Sequence, residues 1–277
     1  MKLLIGLVTH ANSRYSDQNF THNLSRLQDL PTIDVLTDSS DKDFSTREIG
    51  LFQIVRHYLV SVTLEVRFSR FISKEVSTFY FLLLYIKKLR DVFKMFLKII
   101  LNQKRFDSER SRLRRFDNIN LSHLKILGLA LHEKSDFLII LEDDAFAPDP
   151  VRFNELIVEI ENDHKLRTAP IILNTSISSD FMDMGVNGLE LKPEGTESYY
   201  PTPFAITNSA CANVYNRSFI DYLLQDSRGV VEKGIVSFVP IDQILNMVIL
   251  MDSKREKKIV TYHMALPIFR QLSMPSN

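Results

Sequence analysis

The stretch DFLIILEDDAF, residues 136–146, decides the fold prediction for this chain. It begins with a nearly continuous apolar run, which is typical of a parallel strand that is buried on both faces of a sheet. The run ends in three consecutive carboxylates, Glu142, Asp143 and Asp144. Because ligands of open α/β sheets bind beyond the carboxyl ends of such strands, the position of these acids predicts a ligand site.

Three carboxylates crowded at one strand end repel one another and raise one another's pKa. A cation would allow them to stay ionised together, and their oxygen donors suit Mg²⁺ or Mn²⁺. The alternative is that Asp143 or Asp144 caps a helix that begins near Pro148. The segment APDPVRF supplies its own cap and first helical residue in Asp149 and Pro150, which favours the cation site.

The composition is typical of a globular protein. The 277 residues, 45% of them hydrophobic and 25% charged, are enough for one large domain or two small ones, with a sizeable core. Cys211 is the single cysteine, so an internal disulfide is excluded and a reducing compartment is favoured. No apolar stretch approaches the roughly 20 residues that cross a bilayer, and MKLLIGLVTH predicts a first core strand in preference to a signal peptide. We therefore expect a cytoplasmic protein.

Strand and helix patterns alternate on both sides of a long helical zone. KLLIGLVTH, TIDVLTDSS, FLIILE, APIILNTS, PFAITNSACANVY and KKIVTY predict strands, with helical patterns between several of them. Residues 47–117 contain no proline, and no glycine after Gly50, and predict long helices. The chain 1–277 is thus predicted as a single α/β domain, a mostly parallel sheet flanked by helices, with a helical insertion at 47–117.

The segment LSHLKILGLALHEKSDFLIILEDDA, residues 121–145, resembles the stretch that identifies family-25 glycosyltransferases of the lipooligosaccharide-biosynthesis type. In that family a Ser-His-(Leu/Ile)-Lys helix leads into a hydrophobic strand and then Leu-Glu-Asp-Asp. Ser122 to Lys125 match the first element, and Leu141 to Asp144 match the second. The match covers about 25 residues, and FDNIN stands where members of the family often carry a Gly-Cys pair.

The resemblance implies a GT-A fold and the inverting transfer of a sugar from a nucleotide diphosphate donor, with a UDP-sugar favoured. The acceptor would be a glycan or a lipid-linked saccharide. Asp144 would bind the divalent ion that bridges the diphosphate, while Glu142 or Asp143 would hold the ribose or the water shell of the metal. His263, at the end of the last predicted strand, is a further candidate metal ligand, or else a histidine of the core or surface.

Several residues outside the acidic cluster are candidates for the donor pocket: Thr9, His10, Arg14, Asp38, His123 and Lys125. The first three end or follow the first predicted strand, and Arg14 could pair with a phosphate or could simply be solvated. Asp38 ends the second strand, where it could accept a hydrogen bond from the nucleotide or serve as an ordinary turn residue. His123 could equally be a packed residue of an amphipathic helix.

Asp242 is the candidate catalytic base, because inverting transfer requires a group that removes the proton of the acceptor hydroxyl. The residue follows Pro240 in VSFVPIDQILN, at the first turn of a predicted apolar helix. The alternative role is structural, since an acid in the first turn of a helix stabilises the helix dipole.

The net charge of zero conceals a basic region. Between Arg56 and Arg115 there are 15 Lys and Arg against 5 Asp and Glu, a local excess of +10. Within it, FYFLLLYIKKLRDVFKMFLKIIL has apolar residues at helical spacing and a basic stripe on another face: Lys87, Arg90, Lys94 and Lys98. Such a helix could lie on the anionic inner face of a membrane, pack on the catalytic domain, or form a homodimer. Nucleic acid is disfavoured because no binding motif accompanies the charge.

Two other functions share part of this pattern. A sugar nucleotidyltransferase also uses carboxylates at strand ends, but the Gly-rich, lysine-bearing N-terminal loop common in that class is absent from the sequence. A membrane-associated scaffold could retain a transferase fold without turnover. The complete acidic triplet favours the enzyme.

Overall fold

The structure is a computed structural model that describes residues 1–9, 33–39, 47–72, 77–146, 150–177, 199–202, 211–252, 259–264 and 268–271. The described strands are β1 (Leu3–Thr9), β2 (Ile33–Ser39), β3 (Phe137–Glu142), β4 (Ala145–Phe146), β5 (Ile171–Asn174), β6 (Ser176–Ile177), β7 (Tyr199–Thr202), β8 (Ala212–Asn216), β9 (Val260–Met264) and β10 (Phe269–Gln271). The described helices are α1 (Leu51–Ile72), α2 (Thr78–Ile100), α3 (Gln103–His132), α4 (Pro150–Asn162), α5 (Lys165–Thr168), α6 (Arg217–Asp221), α7 (Arg228–Val236) and α8 (Ile241–Asp252), with a π-helical turn at Tyr222–Asp226.

The main sheet has seven described strands in the order β2-β1-β3-β8-β5-β9-β7. Five of these strands run in one direction, while β8 and β7 run the opposite way. The predicted α/β class is therefore confirmed, and the sheet is mixed. A continuous apolar run indicates burial on both faces, and β3 meets this condition with β1 parallel to it on one side and β8 antiparallel on the other. A smaller sheet, in the order β4-β10-β6, lies beyond β3, β9 and β5.

Strand β3 is buried on both faces, as its sequence predicts. Leu138 and Ile140 pack with residues of α3, α7 and α8 on one side of the sheet. Ile139 and Leu141 pack with residues of α4 and α5 on the other side. Apolar side chains on both faces exclude water from the strand, so its charged residues are confined to its end.

Helix α3 approaches the sheet closely over β1. A Cβ atom added to Gly6 would overlap the side chain of Ile126 in α3. Glycine at this position therefore allows the helix to lie near the strand. The helix also contacts β2 and β3, so its second half covers the strand that carries the acids.

Helices α1, α2 and α3 form the basic region, and α2 packs on the other two. Helix α3 runs without a break through residue 117, so the predicted end of the insertion falls inside a helix that continues to the sheet. No proline or glycine interrupts the chain between its cap Asn102 and Gly128, which explains this continuity. None of the described helices is long and apolar enough to cross a membrane.

Candidate functional site

The carboxyl ends of three neighbouring strands bring predicted site residues to one edge of the sheet. In the strand register, Val8 of β1 lies opposite Asp38 of β2 on one side and opposite Glu142 of β3 on the other. Thr9 is the next residue of β1. His10 and Arg14 lie outside the described residues, so their predicted contacts stay predictions.

The three acids gather around the start of β8. The backbone N–H of Glu142 donates to the carbonyl oxygen of Cys211 at 2.8 Å, and Asp143 and Asp144 form the turn into β4. Burial raises the pKa of the Cys211 thiol well above its usual value, and the negative charges of Asp144, Glu142 and Asp143 raise it further. All three carboxylates are thus close enough to one buried point to act on it together.

His123 of α3 reaches the acidic cluster. Its Nε2 lies 3.2 Å from Oε1 of Glu142. The histidine side chain is 1% exposed and that of Glu142 is 20% exposed, so the pair closes the inner side of the site and leaves the carboxylate in contact with solvent. Lys125 is exposed and lies two residues along the same helix, about 200° around its axis from His123. The structure therefore brings His123, and not Lys125, to Glu142.

Asp242 lies in the first turn of α8 and accepts a hydrogen bond from the backbone N–H of Gln243 at 2.8 Å. Its side chain is partly exposed, yet the surrounding protein raises the pKa of the carboxyl group from 3.8 to about 7, with burial as the largest cause. The Gln243 N–H lowers this pKa and the negative charge of Glu142 raises it. Asp242 and Glu142 therefore act on each other electrostatically, although they are distant in sequence.

The loop before α8 is held by α3. The side-chain amide of Asn120 donates to the carbonyl oxygen of Val239 at 2.8 Å. Phe238, which is buried, has a φ of 54°, a left-handed conformation that turns the chain into α8. Asn120 and His123 are one helical turn apart, so one stretch of α3 contacts both Glu142 and the loop that leads into α8, the helix of Asp242.

His263 lies three strands away from Glu142 across the sheet. It is buried on β9, opposite Asn174 of β5 and Tyr200 of β7. With strands about 4.8 Å apart, its backbone is about 14 Å from that of Ile140, its counterpart in the register of β3, and Glu142 lies two residues further along that strand. Within the described ranges no three His, Cys, Asp or Glu side chains form a group that could hold a metal ion. The ligand role of His263 stays a prediction.

The adjacent carboxylates of Asp143 and Asp144 nevertheless fit a divalent cation of the kind predicted. Mg²⁺ in proteins commonly takes one or two carboxylates and completes its coordination with water and the phosphates of a substrate. Asp144 is 7% exposed, and its negative charge raises the pKa of the buried Cys211 thiol. A cation beside Asp143 and Asp144 would offset their charge without requiring a third protein ligand.

Sequence reasoning missed a row of buried amides beside the acids. Asn213 of β8 lies opposite Ile140 of β3 and Asn174 of β5, and Asn174 lies opposite His263. Residues in register on adjacent strands point to the same face, so these side chains share the face of Glu142, two residues beyond Ile140. The available signal was an asparagine near the end of two predicted strands, APIILNTS and PFAITNSACANVY.

Searches with this chain against protein-family models and against curated protein sequences return no match.

Proposed function

We propose that this chain is a metal-dependent, inverting glycosyltransferase with a GT-A fold, which transfers a sugar from a nucleotide diphosphate donor, a UDP-sugar by preference. One observation carries this function. A carboxyl group with a pKa of about 7, Asp242, acts electrostatically on Glu142, the first of three acids at the carboxyl end of a central strand. One site would thus combine a base for the acceptor with carboxylates for the donor.

The nucleotide diphosphate donor would bind at the acidic turn, which we define as Glu142, Asp143 and Asp144. A divalent cation bound there would neutralise the charge of the diphosphate as it departs. Asp143 and Asp144 are the residues that would hold this ion. Glu142 is held by His123 at 3.2 Å, so its carboxylate is oriented before any ligand arrives. Its solvent-exposed part is then available to hydroxyl groups of the donor.

The acceptor side is Asp242. With a pKa of about 7, a large fraction of this carboxyl group is ionised at neutral pH, and its basicity is far greater than that of an ordinary aspartate. The carboxylate takes the proton of the acceptor hydroxyl while that oxygen forms a bond to the anomeric carbon. The bond between this carbon and the diphosphate oxygen breaks, and the nucleotide diphosphate leaves with the electron pair.

Calorimetric titration of UDP and GDP, each with and without Mn²⁺, tests the donor site. We expect wild type to bind UDP more tightly with the metal and Asp144→Asn to lose that metal dependence. Asp226→Asn is the matched control, because Asp226 is an exposed aspartate of the π-helical turn and lies outside the site. If neither nucleotide binds under any condition, or if both variants behave like wild type, the assigned donor site is wrong.

A further inference from the structure

Helix α2 has two apolar surfaces: in the part of the chain that the structure describes, one is buried and the other is largely exposed. Phe81, Val92 and Ile99 are buried against the neighbouring helices. A second set of large apolar side chains is between 43% and 67% exposed: Phe79, Leu82, Leu83, Ile86, Phe93, Leu97 and Ile100. At 100° per residue this second set lies in a stripe about 100° wide, on the side of the helix away from the buried set.

The sequence predicts one apolar face for this helix, but the structure divides it. Of its predicted residues, Val92 and Ile99 are buried, whereas Ile86, Phe93 and Ile100 are exposed. Scattered exposed apolar residues need no explanation, but a continuous stripe along a 23-residue helix indicates an interaction surface.

Basic side chains border the exposed stripe along one side. Arg90, Lys94, Lys87 and Lys98 are all exposed and follow the stripe at helical spacing. Lys88 differs, because it faces α1 and pairs with Glu65 at 2.6 Å. Asp91 is the single acid of α2, against five lysines and arginines, so the helix carries a net charge of +4.

We propose that this exposed surface of α2 binds an anionic lipid bilayer, with the apolar stripe in the interface and the basic side chains at the headgroups. Both components of an interfacial helix are present in one element, and the positive charge complements acidic phospholipids. A second copy of the chain fits less well. A symmetric dimer would apply the same stripe to itself and bring Arg90 and Lys94 towards their own copies, which like charges oppose. The inference does not depend on the proposed enzymatic function.

Tryptophan fluorescence on the intact chain tests this directly, because the chain contains no tryptophan. Phe93→Trp introduces an emitter in the stripe, and Val158→Trp introduces one at a position on α4 that is 55% exposed. On addition of phosphatidylglycerol vesicles we expect the emission of Phe93→Trp to shift to shorter wavelength and that of Val158→Trp to stay unchanged. An unchanged emission of Phe93→Trp, or an equal shift in both variants, would overturn the proposal.

Vesicle flotation distinguishes the contribution of the basic side chains to membrane binding from that of the apolar stripe. Removing one interfacial charge should weaken binding to phosphatidylglycerol vesicles roughly fivefold, so Lys87→Gln with Lys94→Gln should weaken it about 25-fold. Binding to phosphatidylcholine vesicles should change little in this variant. Ile86→Ser with Phe93→Ser should weaken binding to both kinds of vesicle. Lys233→Gln, at an exposed lysine of α7, is the control.

Two outcomes contradict membrane binding. One is that wild type stays unbound on both kinds of vesicle in flotation. The other is that wild type binds neither kind of vesicle and is a dimer in analytical ultracentrifugation that Ile86→Ser with Phe93→Ser converts to monomer, which would assign the stripe to a second copy of the chain. Because the substituted side chains are exposed, we expect all these variants to fold, and their circular dichroism checks this.

Discussion

At the scale of single residues, Asp242 is a side chain whose pKa depends strongly on its surroundings. An aspartate in the first turn of a helix is ordinarily ionised and stabilises the helix dipole. Here burial and the charge of Glu142 outweigh the hydrogen bond from Gln243, and the pKa is raised to about 7. This raised pKa is the property that distinguishes a candidate base from a capping residue.

The raised pKa of Asp242 predicts a pH-dependent stability. Between pH 3.8 and about 7 the folded state holds a proton that the unfolded state releases, so the free energy of unfolding falls as pH rises through this window. In this window the free energy of unfolding falls by at most about 1.4 kcal/mol per pH unit, and the partial exposure of Asp242 makes the fall smaller. We expect Asp242→Asn to be more stable than wild type at pH 8 and nearly equal to it at pH 4, as measured by thermal unfolding.

The same variant should lose sugar transfer while it retains metal-dependent UDP binding, because Asp242 is assigned to the acceptor and not to the donor. A variant that is less stable than wild type at pH 8 would indicate that the ionised carboxylate of Asp242 stabilises the folded state, as in a helix cap. The pKa of about 7 would then be wrong.

At the scale of elements, α3 is the helix that joins the basic region to the site. Its first half packs on α1 and α2, and its second half covers β1, β2 and β3. Between the halves, the buried carboxylate of Asp117 pairs with Arg47, just before α1, at 2.9 Å. The other amino group of Arg47, Nη1, donates to the carbonyl oxygen of Ile235 in α7 at 3.1 Å. Arg47 therefore ties the segment before α1 to α3 and α7, near the loop that leads into α8.

Replacing one partner of the Arg47–Asp117 ion pair should lower the free energy of unfolding more than replacing both partners. Arg47→Met leaves the fully buried Asp117 carboxylate without its guanidinium, and we expect a loss of about 3 kcal/mol in the free energy of unfolding. Arg47→Met combined with Asp117→Asn removes the uncompensated charge and should recover at least about 1 kcal/mol of this loss. Urea denaturation of wild type, both single variants and the double variant measures the coupling. Equal stability of Arg47→Met and the double variant would contradict it.

At the scale of the whole molecule, the two proposed surfaces are on different elements. The acidic turn lies at the carboxyl edge of the sheet, and the exposed stripe lies on α2, which packs on α1 and α3. Helix α3 contacts both α2 and the strands of the site. The two surfaces are thus built on one framework without sharing a residue, and each can be altered without removing the other.

Donor binding should therefore stabilise the whole fold independently of α2. A ligand present at about 100 times its dissociation constant adds about 2.7 kcal/mol to the free energy of unfolding. We expect UDP with Mn²⁺ to raise the Tm of wild type and of Ile86→Ser with Phe93→Ser by the same few degrees, and to leave that of Asp144→Asn unchanged. Differential scanning calorimetry measures this. An equal rise in Asp144→Asn would show that the ligand binds elsewhere.

The sequence by itself determined strand β3, the helices of the basic region and the position of the acids. Strand β3 follows from an unbroken apolar run, and the acids Glu142 to Asp144 must lie at its end because a strand buried on both faces excludes charge. The helices of residues 47–117 follow from apolar spacing and the absence of proline. These features are local, since each depends on side chains only a few residues apart.

Only the tertiary structure decided which distant residues meet. His123 contacts Glu142, and Asn120 donates a hydrogen bond to Val239, although each pair is far apart in the chain. The reversed direction of β8 depends on its pairing with β3, and the raised pKa of Asp242 depends in part on Glu142. Likewise, the spacing of α2 marks its apolar residues, but the packing of α1 and α3 decides which of them stay exposed. Periodicity shows that a side chain needs burial, whereas its partner is set by the strand order and by the helices that cover the sheet.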